Sequence, residues 1–98
     1  MILFQIYKII RWHKKIFRHI DYNTQRNHFE SEMLEWQSAF MTYMTDKSDE
    51  HLEDLELERA DVIISGINLL RFPEARALVQ KKMNINKKRK WNNDRHVD

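Results

Sequence analysis

Apolar residues recur along this chain at the spacing of helices rather than of strands. In the first twenty residues they fall at i, i+3, i+4 and i+7, which is one face of an amphipathic helix. No segment shows the period-two alternation of a half-buried strand. We therefore predict an all-α fold. The periodic segments and the turn-like stretches between them predict four helices, at about residues 2–20, 25–45, 50–71 and 73–90.

Local signals locate the ends of these helices. Thr24 is a suitable N-cap for the second helix, the polar stretch 45–49 separates the second from the third, and Pro73 suits the first turn of the fourth. We predict one domain over the whole chain. Its parts are a basic amphipathic helix at 1–20, core helices at 24–90 and a frayed tail at 91–98.

Composition narrows the class of protein. With 98 residues, no Cys, one Gly, one Pro and a third of its residues charged, the chain is typical of a small, helix-rich intracellular protein. Lys and Arg interrupt the apolar residues of the first helix too often for it to span a bilayer. A helix that lies on a membrane surface has the same signature, but the other helices offer apolar faces for it to pack on. We expect a cytoplasmic protein without membrane association.

The net charge of +2 conceals a strong segregation of charge. Residues 1–20 contain five Lys or Arg and no acid, whereas residues 46–61 contain eight acids and two basic residues. Residues 76–98 contain eight Lys or Arg and two acids. This pattern indicates that acidic and basic segments meet, either within the fold or around a charged ligand.

Two pairs of acids lie beside apolar stripes. Glu32 and Glu35 flank the stripe of the second helix, and Glu58 and Asp61 lie in or next to the apolar run 57–70, which we expect to be deeply buried. Residues three apart on a helix are neighbours, with about 5–6 Å between Cβ atoms. Four converging carboxylates would repel one another. A hard divalent cation, Mg²⁺ or Mn²⁺, would relieve that repulsion and is commonly bound this way in helix bundles.

Other polar side chains continue these lines. Ser65 and Asn68 extend the acidic line of the third helix at i+4 and i+7 from Asp61, and form a polar seam on an otherwise apolar helix. On the fourth helix, three phosphate-binding types replace apolar residues on the predicted inner face: Lys82, Asn86 and Arg89. A cluster of acids near such donors is typical of a polyphosphate site.

Three blocks of sequence, in order, carry a resemblance to a known family. They are Glu32-Met33-Leu34-Glu35, ERADVII at 58–64 and KMNINKKR at 82–89. They resemble the ExxE, ExxD and KMxxNxxR-type segments of the MazG-like all-α nucleoside triphosphate pyrophosphohydrolases. That family includes the dCTP pyrophosphatases and is related to the dimeric dUTPases. The matching positions span residues 29–91.

The resemblance implies a four-helix fold completed by oligomerisation, as a homodimer or homotetramer. It implies Mg²⁺-dependent hydrolysis of a nucleoside triphosphate, chiefly a dNTP, to the monophosphate and pyrophosphate, and makes nucleic acid an unlikely partner. The implied metal ligands are Glu32, Glu35, Glu58 and Asp61, with Glu35 as the catalytic base. The implied triphosphate contacts are Lys82, Asn86 and Arg89. We add as substrate-binding candidates the seam residues Ser65 and Asn68, and Trp36 as a stacking surface.

Departures from the family pattern leave other functions open. Leu34 stands where many relatives have Gly, and Ser31 and Leu57 stand where many have a further acid. An inactive relative that keeps only the oligomer is one alternative. Another is a non-enzymatic helical interaction protein whose basic ends bind nucleic acid or an anionic membrane. The nucleotide base, the number of metal ions and the size of the oligomer are not determined by the residues.

Overall fold

Four helices make up most of the segment that the computed structural model describes, residues 2–89. No strand occurs within this segment, and the predicted all-α fold is confirmed. The tail predicted to fray, residues 91–98, lies outside the described residues. None of the described helices is long and apolar enough to cross a membrane. The helices are α1 (Ile2–Ile16), α2 (Tyr22–Thr45), α3 (Asp49–Leu69) and α4 (Pro73–Lys88).

The ends of the first two helices differ from the prediction. The N-cap of α2 is Asp21, whose side chain accepts a hydrogen bond from the backbone N–H of Thr24 at 2.8 Å. The prediction of Thr24 as the cap is therefore wrong, because Thr24 lies inside the first turn. The first helix ends at Ile16, four residues early, because the carbonyl groups of residues 17–18 accept hydrogen bonds from the Arg71 guanidinium instead of continuing a helix.

The α2–α3 pair forms the body of the molecule. These helices are joined by a three-residue connection, run antiparallel and pack against each other along most of their length, whereas α1 packs more lightly on α3. Gly66 of α3 permits close approach to α2, since a Cβ at this position would lie 3.3 Å from Cε1 of Phe29. The fourth helix packs on none of the others to a comparable extent.

A buried polar network joins α1, α2 and α3. Gln25 is completely buried, and its Nε2 donates to the backbone oxygen of Ser65 at 3.1 Å and to Oγ of Ser65 at 3.2 Å. Arg71 donates to Nδ1 of the buried His13 at 2.9 Å. Nε2 of His13 must therefore carry the proton that is donated to Oε1 of Gln25 at 2.9 Å. The network requires a neutral imidazole and fixes the register of the three helices.

Apolar surface, by contrast, remains largely open. Leu55 and Ala75 are the fully buried apolar side chains of the described segment. The expectation that 57–70 would be deeply buried is wrong for the single chain, where Ile63 is 55% exposed. The reason is that α1 and α2 cover the opposite, polar side of α3, where Ser65 is buried.

The chain is also more extended than a compact domain. Its radius of gyration is 16.3 Å, compared with about 13 Å for a compact domain of this length. Its accessible surface is 8,266 Å², compared with about 6,000 Å² for a compact monomer of 12.1 kDa. About 2,200 Å² of additional surface is therefore open, and exposed large apolar side chains such as Phe40 and Ile63 contribute to the open surface.

We predict that the protein loses stability as the pH falls below 6.5. Burial lowers the pKa of His13 from its ordinary value of 6.5; the hydrogen bond from Gln25 opposes this shift, and the charges of Arg71 and His28 add to it. A group whose pKa is lower in the folded state contributes stability above its unfolded pKa and loses it as the pH falls. The test is the urea midpoint at about pH 7.5 and about pH 5.5.

The matched comparison is between two histidine substitutions. His13→Gln should reduce the difference between the two midpoints, whereas His19→Gln, at an exposed position in the turn after α1, should leave the difference as in the wild type. The same pH dependence in all three proteins would contradict the role given to His13.

Candidate metal centre

Four carboxylates converge where α2 and α3 pack together. Glu32 and Glu35 come from α2, and Glu58 and Asp61 come from α3. One carboxylate oxygen from each of Glu32, Glu58 and Asp61 lies within 4.8 Å of the other two. The Glu35 carboxyl group is close enough to share a hydrogen bond with both Glu32 and Glu58. The two i, i+3 pairs therefore face each other across the helix pair.

The cluster raises the pKa values of its two less exposed members. Burial raises the pKa of Glu32, and the Glu35 and Asp61 charges raise it further, while His28 lowers it from 3.4 Å away. Burial also raises the pKa of Glu58, as do the neighbouring charges of Glu35, Asp61 and Asp54. Burial and neighbouring acids are the main causes of both shifts, and His28 opposes the shift of Glu32. The cluster is thus a predominantly negative site.

Two of the carboxylate oxygens need a positive partner. Oε2 of Glu32 and Oε2 of Glu58 are buried, and neither has a hydrogen-bond donor within the described part of the chain. A carboxyl group can donate to another only when it is protonated, so an ionised cluster leaves both oxygens unsatisfied. Burying such an atom without a partner is costly. A bound cation would satisfy both oxygens.

The donor set fits a hard divalent cation. Mg²⁺ binds oxygen ligands at about 2.1 Å in octahedral geometry, so opposite ligands lie about 4.2 Å apart. One oxygen from each of Glu32, Glu58 and Asp61 lies within 4.8 Å of the other two, which is compatible with ligands around one ion of this size. An all-oxygen set of carboxylates is the preference of Mg²⁺ and Mn²⁺.

Asp61 is exposed, contrary to the expectation that it lies within a buried run. Its side of α3 borders a cavity rather than another helix, so its carboxylate is reached by solvent. The neighbours of the Asp61 carboxylate are therefore the other three acids and whatever cation they share. Because Asp61 is exposed, the cluster is open to ligands from outside.

A polar groove lies on one side of the cluster. It has a volume of about 470 Å³, and we call it the acidic groove. Part of its wall, from α2, consists of the small side chains of Ser38, Ala39 and Thr42, and the rest of its wall carries charged or ionisable groups. The wall residues are Glu35, His51, Asp54 and Glu58.

A second cavity, which we call the amide cavity, lies on the other side of the cluster. It has a volume of about 350 Å³ and is bordered by Glu32 and Asp61. Its apolar walls include Trp12 and Phe17, which come from the α1 side of the molecule. Asn68 also lines it and is only 3% exposed, and its Oδ1 has no hydrogen-bond partner within residues 2–89.

Two other predicted substrate contacts, Ser65 and Trp36, lie in different places. Ser65 lines the amide cavity with Asn68, but its Oγ already accepts a hydrogen bond from Gln25. Trp36 borders neither cavity; it lines a separate apolar groove with Phe40, and its Nε1 is buried without a partner in the described chain. The stacking role expected of Trp36 stays a prediction.

The three predicted triphosphate contacts do not line either of the two cavities beside the acids. Lys82 and Arg89 are exposed and Asn86 is partly buried, and no residue of α4 lines the acidic groove or the amide cavity. A single chain thus brings together the four acids, Ser65 and Asn68, but not the three predicted triphosphate contacts.

Two residues near the cluster were not predicted. His28 precedes Glu32 by four residues and therefore lies on the same face of α2, which is a signal that the spacing contained. Gln25 holds the wall of the amide cavity in place, and no sequence signal distinguishes it from a solvent-exposed Gln. Comparison with known proteins adds no family: the chain matches no family model, no curated protein and no solved structure.

We predict that Glu32→Gln raises the unfolding temperature in EDTA at about pH 7.5. A carboxyl group whose pKa is raised by folding is most favourable to stability below its unfolded pKa of 4.5, and this contribution is lost as the pH rises through the raised pKa. Removing the charge should therefore relieve repulsion at neutral pH. Glu53→Gln, at an exposed position of α3, is the control and should change the melting temperature little.

An unfolding temperature for Glu32→Gln equal to or below that of the wild type would show that the four carboxylates do not strain the metal-free protein.

Proposed function

We propose that this protein is a Mg²⁺-dependent nucleoside triphosphate pyrophosphohydrolase of the MazG-like all-α type, acting on dNTPs. The observation that carries this proposal is the convergence of two carboxylate pairs with buried, unsatisfied oxygens. A cavity lined by aromatic and amide side chains, of a size for part of a nucleoside, adjoins that cluster. The three sequence blocks that resemble the family support the same function.

Glu32, Glu35, Glu58 and Asp61 are the residues that would hold the cation. Mn²⁺ would take the same oxygen ligands. When bound, the cation supplies Lewis acidity at the phosphoryl oxygens and lowers the pKa of a coordinated water. The carboxylates orient it, and the exposed side of Asp61 leaves an entry path from solvent.

Glu35 is the proposed proton acceptor. It is the acid that contacts both Glu32 and Glu58, and it lines the acidic groove, where a water can reach it. The oxygen of that water forms a bond to the α-phosphorus while the bond from this phosphorus to the bridging oxygen breaks. The electron pair of the broken bond leaves with pyrophosphate, and the proton of the water passes to Glu35.

The amide cavity receives the nucleoside. Trp12 and Phe17 provide apolar walls, and Asn68 provides a buried amide whose oxygen accepts and whose nitrogen donates hydrogen bonds. Such an amide matches the edge of a base that presents a donor beside an acceptor. Ser65, held by Gln25, shapes the cavity rather than binding the base directly.

The open surface supports an oligomer as the working form. About 2,200 Å² of excess surface per chain, or about 4,400 Å² for two chains, is in the range of obligate interfaces, which bury about 2,000–5,000 Å² counted over both partners. A homodimer or homotetramer would cover the exposed apolar side chains of α2 and α3, such as Phe40, Met41 and Ile63. The same association would complete the four-helix fold that the resemblance implies.

A second candidate function is favoured by the outer face of α1. Lys8, Arg11, Lys14 and Lys15 are exposed there, and Nζ of Lys8 lies 5.1 Å from the centre of the Phe4 ring. Basic and aromatic side chains on one face are typical of nucleic-acid binding, which weakens steeply as the salt concentration rises. This candidate gives no role to the carboxylate cluster, so we rank it second.

We predict release of pyrophosphate from at least one member of a dNTP panel, only in the presence of Mg²⁺ or Mn²⁺. Glu35→Gln and Asp61→Asn should each lower kcat by about 10²-fold or more, since general-base and metal-ion contributions are of this size. The measurement is a coupled pyrophosphate assay with a metal titration. Glu53→Gln serves again as the control.

In parallel, millimolar Mg²⁺ should raise the unfolding temperature of the wild type but not of Asp61→Asn. No pyrophosphate from any dNTP, together with identical metal responses of the two proteins, would overturn the enzymatic proposal. Steeply salt-dependent binding of an oligonucleotide would then support the second candidate.

We predict that Asn68→Leu lowers kcat/KM for the preferred nucleotide by about tenfold or more, because a buried polar group of the base would lose its partner at about 1–3 kcal/mol. Leu has the same branching and the same number of side-chain heavy atoms as Asn, so the substitution removes the amide while keeping the outline of the side chain. Asn27→Leu, at an exposed position of α2, is the control. An unchanged kcat/KM in Asn68→Leu would place the base elsewhere.

A further inference from the structure

The first helix is anchored to the body of the molecule through its C-terminal part and is open at its other end. His13 is buried, and its Nε2 hydrogen-bonds to Gln25 of α2 at 2.9 Å. In the first turn of the helix, by contrast, Ile2, Leu3 and Phe4 are 74%, 76% and 61% exposed. We call these three large apolar side chains the apolar tip.

The side of α1 that faces away from the body is basic and aromatic. Phe4 precedes His13 by nine residues, which places the two side chains on opposite sides of the helix. A surface helix that only packs on a core carries polar residues on this outward side, yet Phe4 and Tyr7 are exposed here. The helix contains no acid. Its exposed basic residues lie on or beside the outward side and are Lys8, Arg11, Lys14 and Lys15.

This combination of side chains fits the surface of an anionic bilayer. A helix at a membrane interface buries its large apolar side chains about 5–10 Å deep and keeps Lys and Arg among the headgroups. Along the axis of α1, the basic residues follow Phe4 by about 6–16 Å, so an inserted tip leaves them near the headgroup layer. Weak apolar anchors attach firmly when a basic patch supplements them, and α1 carries both.

Two other partners fit the same side chains less well. A nucleic acid would use the basic and aromatic groups, but the aliphatic side chains of Ile2 and Leu3 offer it neither charge nor a stacking surface. A specific protein interface takes roughly 800 Å² from each partner, whereas a large apolar side chain supplies about 150–250 Å². The three residues of the tip therefore do not make such an interface by themselves. A bilayer has no such minimum, because each inserted side chain contributes separately.

We propose that α1 binds the surface of an anionic lipid bilayer, with the apolar tip inserted and the basic residues among the headgroups. With 15 residues, α1 is shorter than the roughly 20 residues that cross a bilayer, so it lies at the surface. The expectation of no membrane association assumed that the other helices would cover the apolar side chains of α1, and those of the tip are exposed. The proposal does not depend on the function of the carboxylate cluster.

Flotation with lipid vesicles tests this proposal on the full-length protein. One set of vesicles contains phosphatidylcholine alone, and the other contains phosphatidylcholine and phosphatidylserine. The protein should float with the anionic vesicles and not with the neutral ones. Binding should weaken as the salt concentration rises from about 0.1 M to about 1 M, because the range of electrostatic attraction becomes shorter.

Two double variants separate the contributions of the tip and the charges. Leu3→Gln/Phe4→Gln removes the apolar side chains and should lower the partition coefficient about tenfold or more, since burial of one large apolar side chain contributes that much. Arg11→Gln/Lys14→Gln should lower it about 25-fold, since each basic residue near an anionic surface contributes about fivefold.

The matched controls change the same kinds of residue elsewhere on the surface. Met41→Gln/Leu57→Gln removes two apolar side chains that are exposed on α2 and α3, and Lys47→Gln/Lys81→Gln removes two exposed positive charges. Both controls should float as the wild type does. Unfolding temperatures of all four variants check that they are folded, and the salt dependence of the wild type tests the proposal even if a variant is not.

Three results would overturn the proposal. They are flotation with neither kind of vesicle, equal flotation with both kinds, and unchanged binding when the apolar tip is removed. Salt-sensitive binding of an oligonucleotide without flotation would assign the basic side of α1 to a nucleic acid instead. Loss of self-association in Leu3→Gln/Phe4→Gln, again without flotation, would assign the tip to a second copy of the chain.

Discussion

The repulsion among four carboxylates is the constraint around which this molecule is organised. Two helices that carry ExxE and ExxD could relieve it by rotating a few tens of degrees, but the packing prevents that rotation. Gly66 allows Phe29 to lie directly against α3, and Gln25 hydrogen-bonds to both polar groups of Ser65. A fully satisfied polar network specifies one register of the helices, as buried polar residues do in coiled coils. The free energy of that network holds the acids together.

The distribution of polar and apolar residues follows from the same arrangement. Buried side chains of the described helices include His13, Gln25, Ser65 and Asn68, while many large apolar side chains are exposed. For a monomer this would be an inversion of the usual pattern. For a chain that associates with a second copy, the same pattern is expected, because the exposed apolar side chains would be buried between the two copies.

Much of this fold could be predicted because helix geometry is local. The period of 3.6 residues determines which side chains share a face, so four helices and two acid pairs could be read from the residue spacing alone. The features that were missed depend on contacts between distant residues. The early end of α1 depends on Arg71, and the exposure of Asp61 depends on where α1 leaves α3 uncovered. The direction of α4 depends on the Tyr22–Phe72 contact, which no periodicity encodes.

One feature of α1 limits what the neighbouring cavity can admit. The helix that provides Trp12 is tied to the rest of the molecule mainly by the imidazole of His13 and the guanidinium of Arg71. A ring larger than the cavity would have to stretch these few bonds, whereas a smaller ring would leave them undisturbed. The cavity would then select rings by size gradually rather than with a sharp limit. This selectivity would decrease on warming, before the helix pair itself unfolds.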